Sequence, residues 1–163
     1  MAKFSFKAGD DFALRLSKLA ARSDEIAQKA LYAAAGIVAD KIRDNLQAVP
    51  EEKFRNLGDD GEFNRLPKGQ KRDLLDSLGV SPVLRNKDGF LTVRIGFDGY
   101  GSYPTSKYPN GIPNLLLARS VESGSSVRQK HPFMRPAVDV TKKQALAAME
   151  KVLNDEIGKT MKG

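Results

Sequence analysis

Apolar positions recur every three or four residues across 10–47: Phe12, Leu16 and Leu19, then Ile26, Ala30, Leu31, Ala34, Ile37, Val38, Ile42 and Leu46. That period predicts helix with one face turned to a core. Asp10 or Asp11 is placed to cap the start. Ser23-Asp24-Glu25 offers a second start with acids in its first turn, so a break or kink is expected near Arg22. The second half is rich in small residues (Ala27, Ala30, Ala33, Ala34, Ala35, Ala39), which let a helix approach its neighbour closely. Pro50 ends it. A helix from Ser23 to Gln47 would be roughly 37 Å long.

The pattern then changes. Residues 48–70 are polar and punctuated by Gly and Pro, with Phe54, Leu57, Phe63 and Leu66 as apolar points. They read as a projecting arm that folds back on its own domain or docks on a neighbour. A short helix is expected over Gln70–Leu78, stopped by Gly79. Strand-like runs at 80–85 and 90–97 flank Asp88-Gly89, a hairpin signal. Leu91, Val93 and Ile95 share one face of the second run. Pro82 places the first run at an edge or near its start.

Residues 98–113 form a long loop of Gly, Pro and Tyr. Long loops often carry function and Tyr is favoured at interfaces, which makes Tyr100, Tyr103 and Tyr108 interface candidates. Residues 114–121 read as a short helix or strand. Thr141–Ile157 is a last helix with Ala145, Leu146, Met149, Val152, Leu153 and Ile157 on one face. It begins within 133–140, where Pro136 fits a first turn. Residues 158–163 are expected to fray. The chain reads as one α+β domain over 1–163: a long kinked N-terminal helix and a C-terminal helix packed on a small, mainly antiparallel sheet, with extended loops and an arm.

Composition narrows the function. The chain has 163 residues, 40% hydrophobic and 7% aromatic, enough for a modest core. It has no cysteine, which excludes disulfides and thiolate metal sites. No apolar run is long enough to span a bilayer, and the N-terminus lacks an apolar signal core. The net charge is +7, and residues 101–163 hold 10 basic against 5 acidic side chains. A basic face suits an acidic partner, protein or nucleic acid. The cations are scattered rather than clustered in a tail.

The most informative stretch is Glu122-Ser-Gly-Ser-Ser-Val-Arg-Gln-Lys-His-Pro-Phe-Met-Arg-Pro-Ala137. It joins a flexible turn at 123–126 to a rigid one. Pro132 and Pro136 fix their own φ and push His131 and Arg135 towards extended backbone. Phe133 and Met134 are apolar anchors between them. Glu122, Gly124, His131, Pro132, Phe133, Met134, Arg135 and Pro136 are therefore read as a structural corner.

Ala118-Arg-Ser-Val-Glu-Ser-Gly-Ser125 followed by His131-Pro-Phe-Met-Arg-Pro-Ala137 resembles the signature of a family of tail-component, neck and tail-completion proteins of long-tailed phages. Ser123 stands where that family commonly has an aromatic residue. Asp73-Leu-Leu-Asp-Ser-Leu-Gly-Val80 is similar to the step before the family's strands. The resemblance implies a virion protein made in a bacterial cytoplasm. It would form a six-fold or twelve-fold ring of copies around the DNA passage. Its partners would be a head-side connector or stopper and a tail terminator or tube. It implies no cofactor and no membrane. Arg135 would be a buried structural arginine paired with Glu122 or with an acid on the long helix.

No catalytic constellation emerges from the residues. His131 is the sole histidine and precedes a proline inside the corner. Asp10-Asp11, Glu51-Glu52 and Asp59-Asp60 are adjacent pairs, which do not readily converge on one metal. Gly99-Tyr-Gly101 lacks the Gly-Lys-Ser/Thr of a phosphate loop. Ser123-Gly-Ser-Ser126 lacks a strand-elbow-helix context. An interaction protein is expected rather than an enzyme. Its interface residues would be Tyr100, Tyr103, Tyr108, Phe54, Phe63, Arg128 and Lys130, carried on segments 48–70, 98–113 and 123–131. These segments would be mobile in a free monomer. The alternative is a basic nucleic-acid-binding protein using Arg119, Arg128, Lys130, Lys142 and Lys143 on phosphate.

Overall fold

A computed structural model describes residues 10–58 and 61–162. The capping expected of Asp10 or Asp11, the core facing of Phe12 and Leu16, and the Asp59-Asp60 pair lie outside the described side chains. The fold is α+β. The N-terminal helical region divides into α1 (Asp10–Ala21) and α2 (Ser23–Ala48), with Arg22 between them at φ −100° and ψ 4°. The break falls where the second start signal predicted it. Arg22 itself takes the N-cap position, and no side chain caps it.

The break is anchored on the last helix, α5 (Met134–Lys162). Arg22 donates to Thr160 Oγ1 at 3.2 Å and to Glu156 at 3.4 Å, and Lys29 reaches the same carboxylate at 3.3 Å. Hydrogen bonds from Lys159 and Lys29 hold the Glu156 carboxyl below its ordinary value, against the desolvation that would raise it. Residues 158–162 belong to α5, and Thr160 is buried.

α2 packs along α5, and this is the largest contact between elements. Its buried positions are mostly small: Ala30, Ala35 and Ala39 on α2, Ala137, Thr141 and Ala145 on α5. Small side chains permit close axes. Thr141 turns its hydroxyl back to the Ala137 carbonyl at 2.6 Å, so nothing polar is stranded in the seam. The sequence pattern had placed Leu146 and Ile157 on this face, yet they are 57% and 39% exposed. The seam instead ends on Glu156 and Thr160, polar residues matched by Arg22 and Lys29. A count of apolar positions alone misses that end.

α2 stops at Val49, and a buried lysine finishes it. Lys71 on α3 (Lys68–Ser77) donates to the Val49 carbonyl at 2.9 Å and to that of Gln47, and pairs with Glu51 at 3.1 Å. A cation at the C-terminal carbonyls satisfies both orphan acceptors and the helix dipole.

The hairpin forms in two pieces. β3 (Leu78–Val80) pairs antiparallel with β6 (Ile95–Phe97), and β4 (Leu84–Arg85) with β5 (Leu91–Thr92). Val80 lies opposite Ile95 and Leu84 opposite Thr92, so Ser81-Pro82-Val83 face only Val93-Arg94. The extra residue is a bulge, and Pro82 sits within it, where its missing N–H costs no ladder bond. This splits the two continuous strands that alternation predicts. Leu91, Val93 and Ile95 are half-buried.

The core gathers Ile42 and Leu46 of α2, Leu66 of β2 (Leu66–Pro67), Leu74, Phe97, Leu117 and Val121 of α4 (Asn114–Ser123), and Phe133 and Ala137 at the head of α5. Residues 114–123 are thus helix. The loop 98–113 is closed at its base: Gly101 N–H donates to the Ile112 carbonyl at 2.8 Å and Asn114 N–H to that of Gly99 at 3.0 Å. Gly111 has φ +98°, and a Cβ there would overlap the Gly101 carbonyl oxygen. Gly111→Ala should therefore cost about 2 kcal/mol and loosen the loop base. Urea melts read the stability, and amide exchange at Gly101 reads the loop. Unchanged values in both would show that the base is not held this way.

Candidate interaction surfaces

The corner is built around one carboxylate. Glu122, near the end of α4, accepts from the backbone N–H of Phe133 at 2.7 Å, Met134 at 2.8 Å and Arg135 at 3.0 Å. These are the donors a helix leaves unpaired at its N-terminus, so α4 caps α5 across the loop. Partial burial would raise the Glu122 carboxyl. The three N–H bonds and the Arg135 charge outweigh it and hold the group below its ordinary value.

Arg135 corrects an expectation here. It meets Glu122 through its backbone N–H, while its side chain is exposed rather than buried. Phe133 is fully buried and packs edge-on against Phe97, with ring centroids 5.9 Å apart. Met134 is half-buried against the same core. Asn45 of α2 donates to the Phe133 carbonyl at 3.1 Å. His131 shares 2.7 Å with the Asn64 carbonyl through Nε2, which must be the protonated nitrogen because a carbonyl only accepts. Its role is therefore a structural tie. Pro132 and Pro136 lie at the exposed surface beside it. Gly124 ends α4 at φ +78°, where a Cβ would press on Lys130 at 3.3 Å.

The turn at 123–131 and the arm at 48–70 hold each other. Phe63 N–H donates to the Val127 carbonyl and Gln129 N–H to that of Phe63, both at 2.9 Å. β1 (Glu51–Glu52) pairs in parallel with β2. Phe63, Leu66 and Pro67 are buried. Of the two courses open to the arm, it takes the first and folds back on its own chain, because its apolar points find partners there.

That clasp buries Arg128, which the sequence placed on an interface and on phosphate. The residue is 5% exposed, and its guanidinium donates to Gln70 Oε1 at 2.6 Å and lies 5.1 Å from the Phe63 ring centroid. Desolvation pulls it down to about 10, against the charge of Glu52. Nε and Nη1 have no hydrogen-bond partner. Phe54 stacks on Tyr103 at 4.1 Å and tilts against Phe63 at 5.8 Å, and Arg55 sits 5.2 Å from the same Phe63 ring. Four sequence candidates (Phe54, Phe63, Tyr103 and Arg128) thus line one cleft of about 770 Å³.

The other three stand apart. Tyr100 is 67% exposed beside the loop base, Tyr108 lies under Lys107 at the loop tip, and Lys130 is exposed near the corner. Arg55 and Gln70, which also line the cleft, were not singled out by sequence. Their only signal was proximity to Phe54 and to the start of the short helix.

Among the described residues no group of three or more His, Asp or Glu side chains is placed to hold a metal. No described helix is long and apolar enough to cross a membrane. No curated protein and no solved structure matches the chain. Residues 10–110 match the model of a family described as "Bacteriophage HK97-gp10, putative tail-component". The matched segment holds the kinked helix, the arm, the hairpin and most of the cleft, while the corner at 118–137 lies beyond it. The chain belongs to this HK97 gp10-like family of phage tail components.

Proposed function

We propose that this protein is a structural virion subunit that completes the tail at the head–tail joint. It forms a ring around the DNA passage, between a head-side connector or stopper and a tail terminator or tube. The observation that carries this reading is the family match across 10–110. The corner is compatible with it: a carboxylate, a histidine and two prolines there serve to fix α4 against α5. Such a subunit is a rigid connector and carries out no reaction.

The nucleic-acid alternative loses Arg128 to the interior and keeps Arg119, Lys130, Lys142 and Lys143, all exposed. Electron microscopy of lysates from a phage carrying a null allele separates the two. Filled heads and free tails, unjoined, are expected. Normal infectious particles would overturn the joint role and move phosphate binding to first place, with a steep fall of affinity with salt as its mark.

A further inference from the structure

We infer that the β4–β5 hairpin tip of one copy docks into the aromatic cleft of a second copy, Phe90 against Phe54 and Tyr103, and Asp88 towards Arg55 and Arg128. This rests on the ring reading and supplies its subunit contact.

The cleft is lined by two guanidinium groups, Arg55 and Arg128, and by the rings of Phe54, Phe63 and Tyr103. No carboxylate is among its described lining residues; one acid, Glu52, stands beside it and pairs with Arg55 at 2.7 Å, which leaves the cleft with one cation in excess. Arg128 makes one side-chain hydrogen bond and no ion pair at contact distance. Its Nε and Nη1 are enclosed, so a carboxylate at the cleft mouth would act on this cation through its charge, as Glu52 does. The cleft asks for an acid next to an aromatic or aliphatic side chain.

The hairpin tip carries that pair. Phe90 is 68% exposed, the highest value among the exposed large hydrophobics of the described residues. Asp88 is exposed two residues earlier, and only its backbone N–H is engaged, with Asn86 Oδ1 at 3.0 Å. Arg85 is engaged elsewhere, donating to the Gly89 carbonyl and to Asp24, both at 2.7 Å, and the adjacent Lys87 is exposed.

The Arg85–Asp24 bridge also fixes where the tip lies. Asp24 is in the first turn of α2, whereas the cleft opens at Phe54 and Arg55, just beyond its last turn. A helix of 26 residues is about 39 Å long. A tip tethered at one end cannot enter its own cleft at the other. The contact must join two copies, and it uses different surfaces on each. Such head-to-tail contacts generate rings when the rotation closes.

The chain has no cysteine, so an engineered pair of thiols is unambiguous. Lys87→Cys places one beside the tip, and Ser106→Cys places one on the cleft rim. Both native residues are exposed. The double variant, as purified chain at high concentration and in phage particles, is treated with a short bismaleimide. A ladder of multimers in denaturing gels is expected. Adding Phe90→Ser should cut the ladder at least about tenfold, as loss of an aromatic anchor does, with the melting temperature of the free chain unchanged. Single-cysteine controls should give no ladder.

Cross-linking confined to single chains would overturn the proposal, because it would put the tip at its own cleft. So would monomer bands alone from particles that contain the protein. Failure of the joint role shows elsewhere, as normal particles from the null allele, and leaves the result on the purified chain to stand by itself.

Discussion

Phe133→Ala is expected to cost about 3–5 kcal/mol, the range for emptying a fully buried aromatic site. Phe133 is the largest of the fully buried side chains and joins four elements: it lies against Phe97 of β6, in the core with α2 and α4, at the head of α5. The neighbours cannot collapse into the space, because the backbone around it is pinned. Glu122 holds its N–H, Asn45 its carbonyl, and Pro132 the preceding φ. A loss of this size is a large fraction of ordinary domain stability. Urea denaturation should show a large fall in midpoint. Phe133→Leu, which keeps much of the volume, should cost far less. A Phe133→Ala loss under about 1 kcal/mol would mean that the site relaxes and that the corner is softer than its hydrogen bonds imply.

Glu122→Ala is the second large effect. It strands three backbone donors at the start of α5 and removes a charge from the helix N-terminus, at an expected cost of about 2 kcal/mol. For a chain of this length that is roughly 4–8 °C in Tm. The effect carries a pH signature. The Glu122 carboxyl lies below its ordinary value in the folded chain. Its contribution is therefore complete above the pKa of an unfolded glutamate. It shrinks as the pH falls and is gone below the folded value.

Glu122→Gln keeps an acceptor but not the charge. The stability gap between wild type and this variant should be widest near neutrality and close on acidification. Thermal melts at a series of pH values read that gap directly. Other lowered carboxyls, such as Glu52 and Glu156, act in both proteins and cancel in the difference. A gap that stays constant with pH would mean that the carboxylate charge contributes nothing at the cap.

The corner and the cleft differ in how they arise. Every corner partner except Asn45, Asn64 and Phe97 lies between residues 118 and 137, so proline, glycine and one acid within a short span specify it. Even so, the arginine expected to pair with Glu122 hydrogen-bonds to it through its backbone N–H, and its side chain contributes charge alone. An N–H in the first helical turn is closer to the carboxylate, and needs no side-chain ordering, compared with a guanidinium on a long stem. The cleft has no such local script. Arg128 meets Gln70 across 58 residues, and His131 meets the Asn64 carbonyl across 67. A basic residue in a flexible turn reads as solvent-facing until the arm that covers it is in place.

What depends on near neighbours is legible along the chain: the N-terminal, short middle and C-terminal helices, the break at Arg22, the hairpin turn at Asp88-Gly89, the start of α5 at the Pro136 corner, and the absence of disulfides, whereas 114–121 reads equally as helix or strand. Helical period, turn chemistry and proline geometry act within a few residues, so they are legible in one dimension. Four features emerge only in three dimensions: which of its two courses the arm takes, the bulge that breaks the hairpin strands, the interior place of Arg128, and the polar cluster on Glu156 that ends the α2–α5 seam. Each of these turns on which distant segment meets which, and on whether a polar group finds a partner once water is removed.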